Sequence, residues 1–466
     1  MPTFAPDQLS TWTGGQWTRR PGTPLTGFAV DTRQLRPGQV FVAIKTDQRD
    51  GHDFLSAAQQ AGASAALVTT AQPDLDLPQL VVPDPLVAFQ TIGREQRRLF
   101  RGPVIGISGS AGKTSTKNLL ANLLGGEACG VLATEGNFNN HLGVPLTLTR
   151  LDPETHRYAV IEAGISGPGE MEILADMIEP DVALITLIAP AHTADLGGLE
   201  GVAREKSILP AAVKTAGLAI FPRQTAEFAA FRELRVRTMI LEPAEVIRPP
   251  TPANDTVYFG VTQRDDTTAV ALAYGPPPPV VFTFRRVTDG MAQNAALAIC
   301  AALGLGVSKQ DIQARLGHWV PAKLRGEIRH EDGRLLYLDC YNANPASMAD
   351  ALAAFEALAP PEERRLYILG CMEELGSAAP LYHRRLGQSV NLRERDRLLV
   401  MGTHAAEVCA GALSRDDVFR QIQMVGSLDV ISEILAEWRG AVFVKGSRRY
   451  QLEKALETQR SFALPC

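Results

Sequence analysis

Cysteine is scarce in this 466-residue chain: six residues, at 129, 300, 340, 371, 409 and 466, with no CxxC pair and no regular spacing. That excludes a disulfide framework and speaks against a zinc cluster. An excess of positive charge is also missing. Forty-six Lys and Arg stand against 51 Asp and Glu, a net charge of −5, whereas a protein that tracks a phosphate backbone needs a basic face. No nucleic-acid partner is expected. No uninterrupted apolar run reaches the ~18 residues that a membrane span needs. The N-terminus, MPTFAPDQLS, has no basic segment followed by an apolar one. Neither a membrane span nor a signal peptide is expected, and the expected location is the cytoplasm. With 40 Gly and 31 Pro the chain is too poor in both for low complexity.

What is present is 45% hydrophobic and 21% charged residues, enough apolar material for several globular cores at ~100–200 residues per domain. The first hundred residues read as a small α/β unit, with a strand over Val40–Ile44, a helix over Phe54–Ala61 and a strand from Ala65 to Val68. Past Pro103, the pattern predicts strands at Val104, Tyr158–Ala163 and Val182–Leu187, alternating with helices at Lys113–Leu124 and Met171–Ile178. Such alternation marks a mostly parallel sheet covered by helices. Prolines crowd 244–256 and 276–279, which read as loops or sheet edges. An Ala-rich helix is expected over Ala292–Leu303 and a linker near Pro321. A third α/β unit follows, with strands Leu335–Asp339, Leu366–Leu369, Arg397–Met401 and Ala441–Val444 and a helix Pro345–Leu358.

The sharpest local signal is Val104-Ile-Gly-Ile-Ser-Gly-Ser-Ala-Gly-Lys-Thr-Ser-Thr-Lys117. A strand runs into a glycine-rich turn, and Lys113-Thr114 opens a helix. Glycines let backbone N–H groups approach a polyphosphate, the helix N-terminus adds partial positive charge, the Lys reaches the outer phosphates, and the Thr hydroxyl can ligate Mg²⁺. The spacing departs from GxxxxGK[ST], because Ile107 occupies the place of the first Gly. Glu162 ends an apolar strand, the usual place for a carboxylate in an α/β nucleotide site. A solvated strand-end Glu is the other reading of the same position.

The loop resembles the ATP loop of the Mur ligases, ATP-dependent amide-forming enzymes of peptidoglycan synthesis, and the resemblance extends along nearly the whole chain. Thr134-Glu-Gly-Asn-Phe-Asn-Asn-His-Leu-Gly-Val-Pro-Leu-Thr-Leu148, Val160-Ile-Glu-Ala-Gly164, Pro190-Ala-His192, Tyr341-Asn-Ala-Asn-Pro345, Glu374-Leu-Gly376 and Val444-Lys-Gly-Ser-Arg448 are similar to family motifs. Asp31-Thr-Arg33, Phe41-Val-Ala43 and Asp50-Gly-His52 resemble the unit that holds the UDP-sugar end of the substrate. The Gly-Asn-Phe-Asn-Asn and Tyr-Asn-Ala-Asn-Pro segments are similar to the branch that joins D-alanyl-D-alanine to UDP-N-acetylmuramoyl-tripeptide. The Asn-Pro-Arg signature of the tripeptide-forming branch is absent.

The resemblance implies three α/β domains: an N-terminal UDP-substrate domain (1–101), a central P-loop ATPase domain with a mostly parallel sheet (102–318) and a C-terminal Rossmann-like domain (319–466). It implies a monomer that uses ATP and Mg²⁺ and acts through an acyl phosphate. Gly109, Ser110, Gly112, Lys113, Thr114, Ser115, Asn294, Arg325, Asp339 and Asn342 are then expected at ATP. Thr114, Glu162 and His192 are expected at the metal. Lys206 is expected in its carbamylated form beside them; the sequence alone reads it as an ordinary helix lysine, and His192 as a structural histidine. Thr32, Arg33, Asn137, Asn139, Asn140, Asn344, Lys445 and Arg448 are expected at the substrate, although Asn clusters also mark turns.

The chain departs from the family pattern at Ala111, Leu187, Ile208, Gly290, Leu338 and Cys371, where the family carries polar or aromatic groups, and at Ala189, where it carries Gly. An active but divergent ligase is the leading reading. A tripeptide-forming or folylpolyglutamate-type ligase, or a nucleotide-binding protein without turnover, are the alternatives.

Overall fold

The computed structural model describes residues 2–190, 196–245, 255–274, 277–331, 333–413 and 419–456. Among these residues the strands form three sheets, each with its own helices. The first sheet has the order Gln16–Trp17, Gln79–Val81, Ala65–Val68, Val40–Val42, Phe28–Ala29, parallel except for its first pair. The central sheet runs Val280–Arg285, Thr267–Leu272, Thr256–Arg264, Thr238–Pro243, Leu218–Pro222, Val182–Ile185, Val104–Ser108, Tyr158–Glu162, Val131–Ala133. Its first three strands pair antiparallel and the rest are parallel. The third sheet runs Glu327–Glu331, Arg334–Asp339, Ala441–Lys445, Arg365–Gly370, Arg397–Met401, Ile422–Met424, with only the first pair antiparallel.

The parallel strands are apolar because helices cover both faces. Ile105 and Ile107 pack into one core with the helices Lys113–Leu123 and Asp289–Gly304, while Val104, Ala159 and Ile161 face the opposite core. This is the period of two expected of a strand. The Ala-rich stretch of Asp289–Gly304 is buried on nearly every side, which brings the helix close to Lys113–Leu123. The prolines 277–279 sit just before Val280–Arg285, as a sheet edge requires, and 246–254 lie outside the described residues.

A helix that the periodicity did not reveal, Pro85–Leu99, joins the first unit to the second. Asp84 caps it by accepting from Leu86 and Val87 N–H at 2.8 and 3.2 Å. Its Arg97 is 1% exposed. The guanidinium donates to Ile178 O (2.8 Å), Glu179 O (2.7 Å) and Asp181 Oδ2 (3.0 Å). A buried guanidinium without such partners would be strongly destabilising.

Candidate active site at the junction of the second and third units

The strand Val104–Ser108 delivers the chain to the glycine-rich turn, and Lys113–Leu123 carries it away. Two glycines there have no substitute. Gly109 has φ +141° and Gly112 φ +80°, both in the region that side chains rarely adopt. A Cβ on Gly109 would lie 1.9 Å from Thr186 Oγ1, and one on Gly112 2.3 Å from Asn294 Nδ2. The loop is held by backbone contacts: Ser110 N–H donates to Leu187 O at 2.9 Å, Ser110 Oγ donates to Ala189 O at 2.8 Å, and Thr186 Oγ1 donates to Ala111 O at 2.5 Å. The departures at Ala111, Leu187 and Ala189 therefore fall where main-chain atoms make the contact.

Lys113 folds back so that Nζ donates to Gly109 O at 2.8 Å. Burial pushes its pKa down and the nearby Glu162 opposes that shift. Glu162 is 1% exposed. Its Oε1 accepts from Thr114 Oγ1 (3.1 Å) and Asn139 Nδ2 (2.8 Å). Its Oε2 is buried with no hydrogen-bond partner and faces Lys117 Nζ at 3.9 Å. An orphaned buried carboxylate oxygen beside a hydroxyl is the donor chemistry Mg²⁺ takes, with phosphate oxygens and water completing the shell. Among the described residues no group of three His, Cys, Asp or Glu is placed to hold a metal, so a site built on side chains alone is not what these residues offer. The residues fit a magnesium ion shared with a phosphate.

The third unit closes over this loop. Arg325 Nη2 donates to Thr114 Oγ1 at 3.1 Å, and the guanidinium lies 4.1 Å over the Tyr341 ring. Asn344 Nδ2 donates to Ser110 O at 3.1 Å. Asn344 also caps its own helix, Pro345–Leu358, through a reciprocal pair with Ser347. Between the two units lies a cavity of about 1190 Å³. Ser110, Gly112, Lys113, Thr114, Ser115, Glu162, Asn137, Asn139, Asn140, Asn294, Arg325, Asp339, Asn342, Asn344, Lys445 and Arg448 all line it.

Within that set the side chains are differently committed. Asn294 Oδ1 is buried and unpaired. Lys445 Nζ donates to Asp339 Oδ2 at 2.5 Å, and burial raises the Asp339 carboxyl against the pull of that ammonium. Arg448 pairs with Glu453. Asn140 Oδ1 accepts from Leu142 and Gly143 N–H, a turn role. Asn137 stands exposed on the rim.

Lys206 is 2% exposed on the helix Gly198–Ala211. It is not a surface lysine. Burial, with repulsion from Lys113 added, holds its amine well below the usual lysine value. Ile208, two residues on, packs against the core. Thr32 and Arg33 lie in the first unit and do not line this cavity; Arg33 is bound to Asp31 at 2.6 Å. His192 lies outside the described residues.

Sequence reasoning passed over Lys117, Thr186 and Asp350. Lys117 was legible, since four residues past Lys113 places it on the same helix face. Thr186 and Asp350 carry no local signature; each is brought to the site only by the fold.

Comparisons with known proteins agree with this geometry. Residues 107–245 match the Mur ligase middle domain and 324–448 the Mur ligase glutamate ligase domain. The chain is 31% identical over 437 residues to the UDP-N-acetylmuramoyl-tripeptide–D-alanyl-D-alanine ligase of Escherichia coli, covering 93% of each chain. It is 30% identical to that of Bacillus subtilis, again covering 93% of each. A solved structure of MurF from Acinetobacter baumannii superposes with a TM-score of 0.86 at 28% identity, covering 99% of both chains. With a glycine-rich loop, a buried carboxylate and an arginine from the third unit meeting at Thr114, and with similarity over 93% of its length, the chain belongs to the Mur ligase family.

Proposed function

We infer that this chain is an ATP-dependent ligase that joins D-alanyl-D-alanine to the terminal carboxylate of UDP-N-acetylmuramoyl-tripeptide in peptidoglycan synthesis. The observation that carries the reading is the pair of contacts from the third unit onto the phosphate loop, Arg325 to Thr114 and Asn344 to Ser110. A ligase that passes through an acyl phosphate needs a second unit closing on this loop to assemble the site and exclude water. The relatives of 30–31% identity that span 93% of the chain carry this activity in their names.

The chemistry has two steps. A carboxylate oxygen of the tripeptide attacks the γ-phosphorus of ATP and ADP leaves. The amino nitrogen of D-alanyl-D-alanine then attacks the acyl carbon, phosphate leaves, and the nitrogen gives up a proton. When bound, Mg²⁺ would neutralise charge on the phosphate oxygens, and Thr114 and Glu162 would hold it; the further ligand expected from the resemblance, His192, lies outside the described residues. Little covalent work falls to side chains, so positioning and charge carry the rate. Lys113, which donates to the neutral Gly109 carbonyl, exchanges it for an anionic phosphate oxygen, the stronger acceptor for an ammonium. Arg325 approaches the same anion from the other side. Closure excludes water from the acyl phosphate.

The lowered basicity of Lys206 supports its carbamylation: a neutral amine adds CO₂ and releases a proton, turning a would-be cation into an anion beside Lys113. Thr32 and Arg33 bind the UDP end in the first unit. Asn137, Asn139, Asn140, Asn344, Lys445 and Arg448 contact the peptide portions of the two substrates. Domain limits at 1–101, 102–318 and 319–466, a monomeric state and a cytoplasmic location complete the reading. No helix among the described residues is long and apolar enough to cross a membrane. The test is ADP release with each substrate omitted in turn. Release only when both tripeptide precursor and dipeptide are present supports the reading, and ATP binding without release under any combination rejects it.

A further inference from the structure

A side chain outside the reacting groups joins the second and third units. Asp350 lies on the helix Pro345–Leu358, six residues past Asn344, or ~9 Å along the helix axis. Its carboxylate does not serve its own helix. Oδ2 accepts from Thr288 Oγ1 at 2.6 Å, and Oδ1 accepts from Gly290 N–H at 2.9 Å. Both donors stand at the start of Asp289–Gly304, the central-unit helix that carries Asn294. Thr288 is its N-cap and accepts from Met291 N–H at 3.0 Å while donating to Asp350. The helix N-terminus, with its free N–H groups and positive dipole end, is thus capped twice: by Thr288 from its own chain segment and by a carboxylate from another unit.

A side chain at 290 would displace the carboxylate. A Cβ on Gly290 would lie 2.6 Å from Asp350 Oδ2 and 2.9 Å from Cγ. Gly290 is helical with no positive φ, so its backbone does not call for glycine. The carboxylate does. One rigid helix therefore brings two contacts to the central unit, Asn344 at the phosphate loop and Asp350 at the wall of the nucleotide cavity.

We propose that Asp350 is a positioning residue of this ligase, clasping the third unit to the start of Asp289–Gly304 so that the two halves of the nucleotide cavity are held in register. The proposal rests on the ligase reading above for its kinetic effect. Its geometry does not.

The test turns on Gly290→Ala. Intrinsic helix propensity favours alanine at this position, so a purely structural role for residue 290 predicts a melting temperature equal to or above wild type and unchanged kinetics. The clasp predicts a melting temperature no higher than wild type, with kcat/KM for ATP lowered about tenfold or more, the scale of charge-assisted hydrogen bonds lost. Asp350→Ala should show the same loss. The double variant Gly290→Ala/Asp350→Ala should be no worse than Asp350→Ala, because the carboxylate that the methyl would strike is gone. Thr288→Ser, which keeps the hydroxyl, should retain wild-type kinetics. Wild-type kinetics in both single variants, or losses that multiply in the double variant, overturn the clasp. The separation of spin labels placed on the second and third units, measured with a non-hydrolysable ATP analogue, reads closure without turnover. A wild type that closes but forms no amide defeats the ligase reading alone, whereas equal closed populations in wild type and Gly290→Ala defeat the clasp alone.

Discussion

Replacing Gly112 by alanine separates a phosphate-gripping loop from an incidental turn. Gly112 holds φ +80°, a conformation that costs an L residue about 1–2 kcal/mol. The new Cβ would also stand 2.3 Å from Asn294 Nδ2, where ordinary contact begins near 3.4 Å. Asn294 must then leave its position by about an ångström, at an off-rotamer cost of about 0.5–1.5 kcal/mol. Together these reach about 2–3 kcal/mol, or about 30- to 150-fold in an equilibrium constant. The loop can shed that strain by opening, which preserves the fold and moves the cost onto ATP. Steady-state kinetics should therefore show kcat/KM for ATP reduced by about 30- to 150-fold, with melting shifted by only a few degrees. Adding Asn294→Ala removes the collision, so the double variant should lose less than the product of the Gly112→Ala and Asn294→Ala losses. Wild-type kinetics in Gly112→Ala would show that the backbone at 112 takes no part in holding nucleotide.

Other consequences are read more simply. Arg365 and Asp396 are 2% and 3% exposed and bonded at 2.6 Å; Asp396→Ala strands the guanidinium and should lower unfolding free energy in urea by about 3–5 kcal/mol. Lys206 has a depressed pKa in the fold and binds its proton more tightly when unfolded, so in CO₂-free buffer stability should rise with pH from the folded value toward the ordinary 10.5. Lys206→Met should flatten part of that rise in a melting series, be more stable at neutral pH, and lose ligase activity; an unchanged slope would show that the amine is not desolvated.

The phosphate loop was legible because its chemistry is local: an apolar strand, glycines and Lys113-Thr114 at a helix start follow one another in sequence. The helix Pro345–Leu358 was legible to the residue because Asn344 and Ser347 cap it within four positions and Pro345 can stand only in its first turn. Strands such as Gln16–Trp17 and Phe28–Ala29 were not, since two residues carry no period. The hairpin Thr256–Arg264 to Thr267–Leu272 turns through Asp265 at φ +40°, without the glycine that usually announces such a turn. Burial of Lys206 was hidden too, because its helix looks amphipathic until Glu170–Ile178 is packed against it. Read as a lost polar contact, Gly290 is the partner surface of Asp350, sixty residues away.

Transfer of a phosphoryl group to the tripeptide acid is tested most directly by isotope. With both oxygens of the terminal carboxylate replaced by ¹⁸O, turnover with ATP and D-alanyl-D-alanine should release phosphate carrying a single ¹⁸O, because the bridging oxygen of the acyl phosphate leaves with phosphorus. Amide formation with unlabelled phosphate would contradict that route.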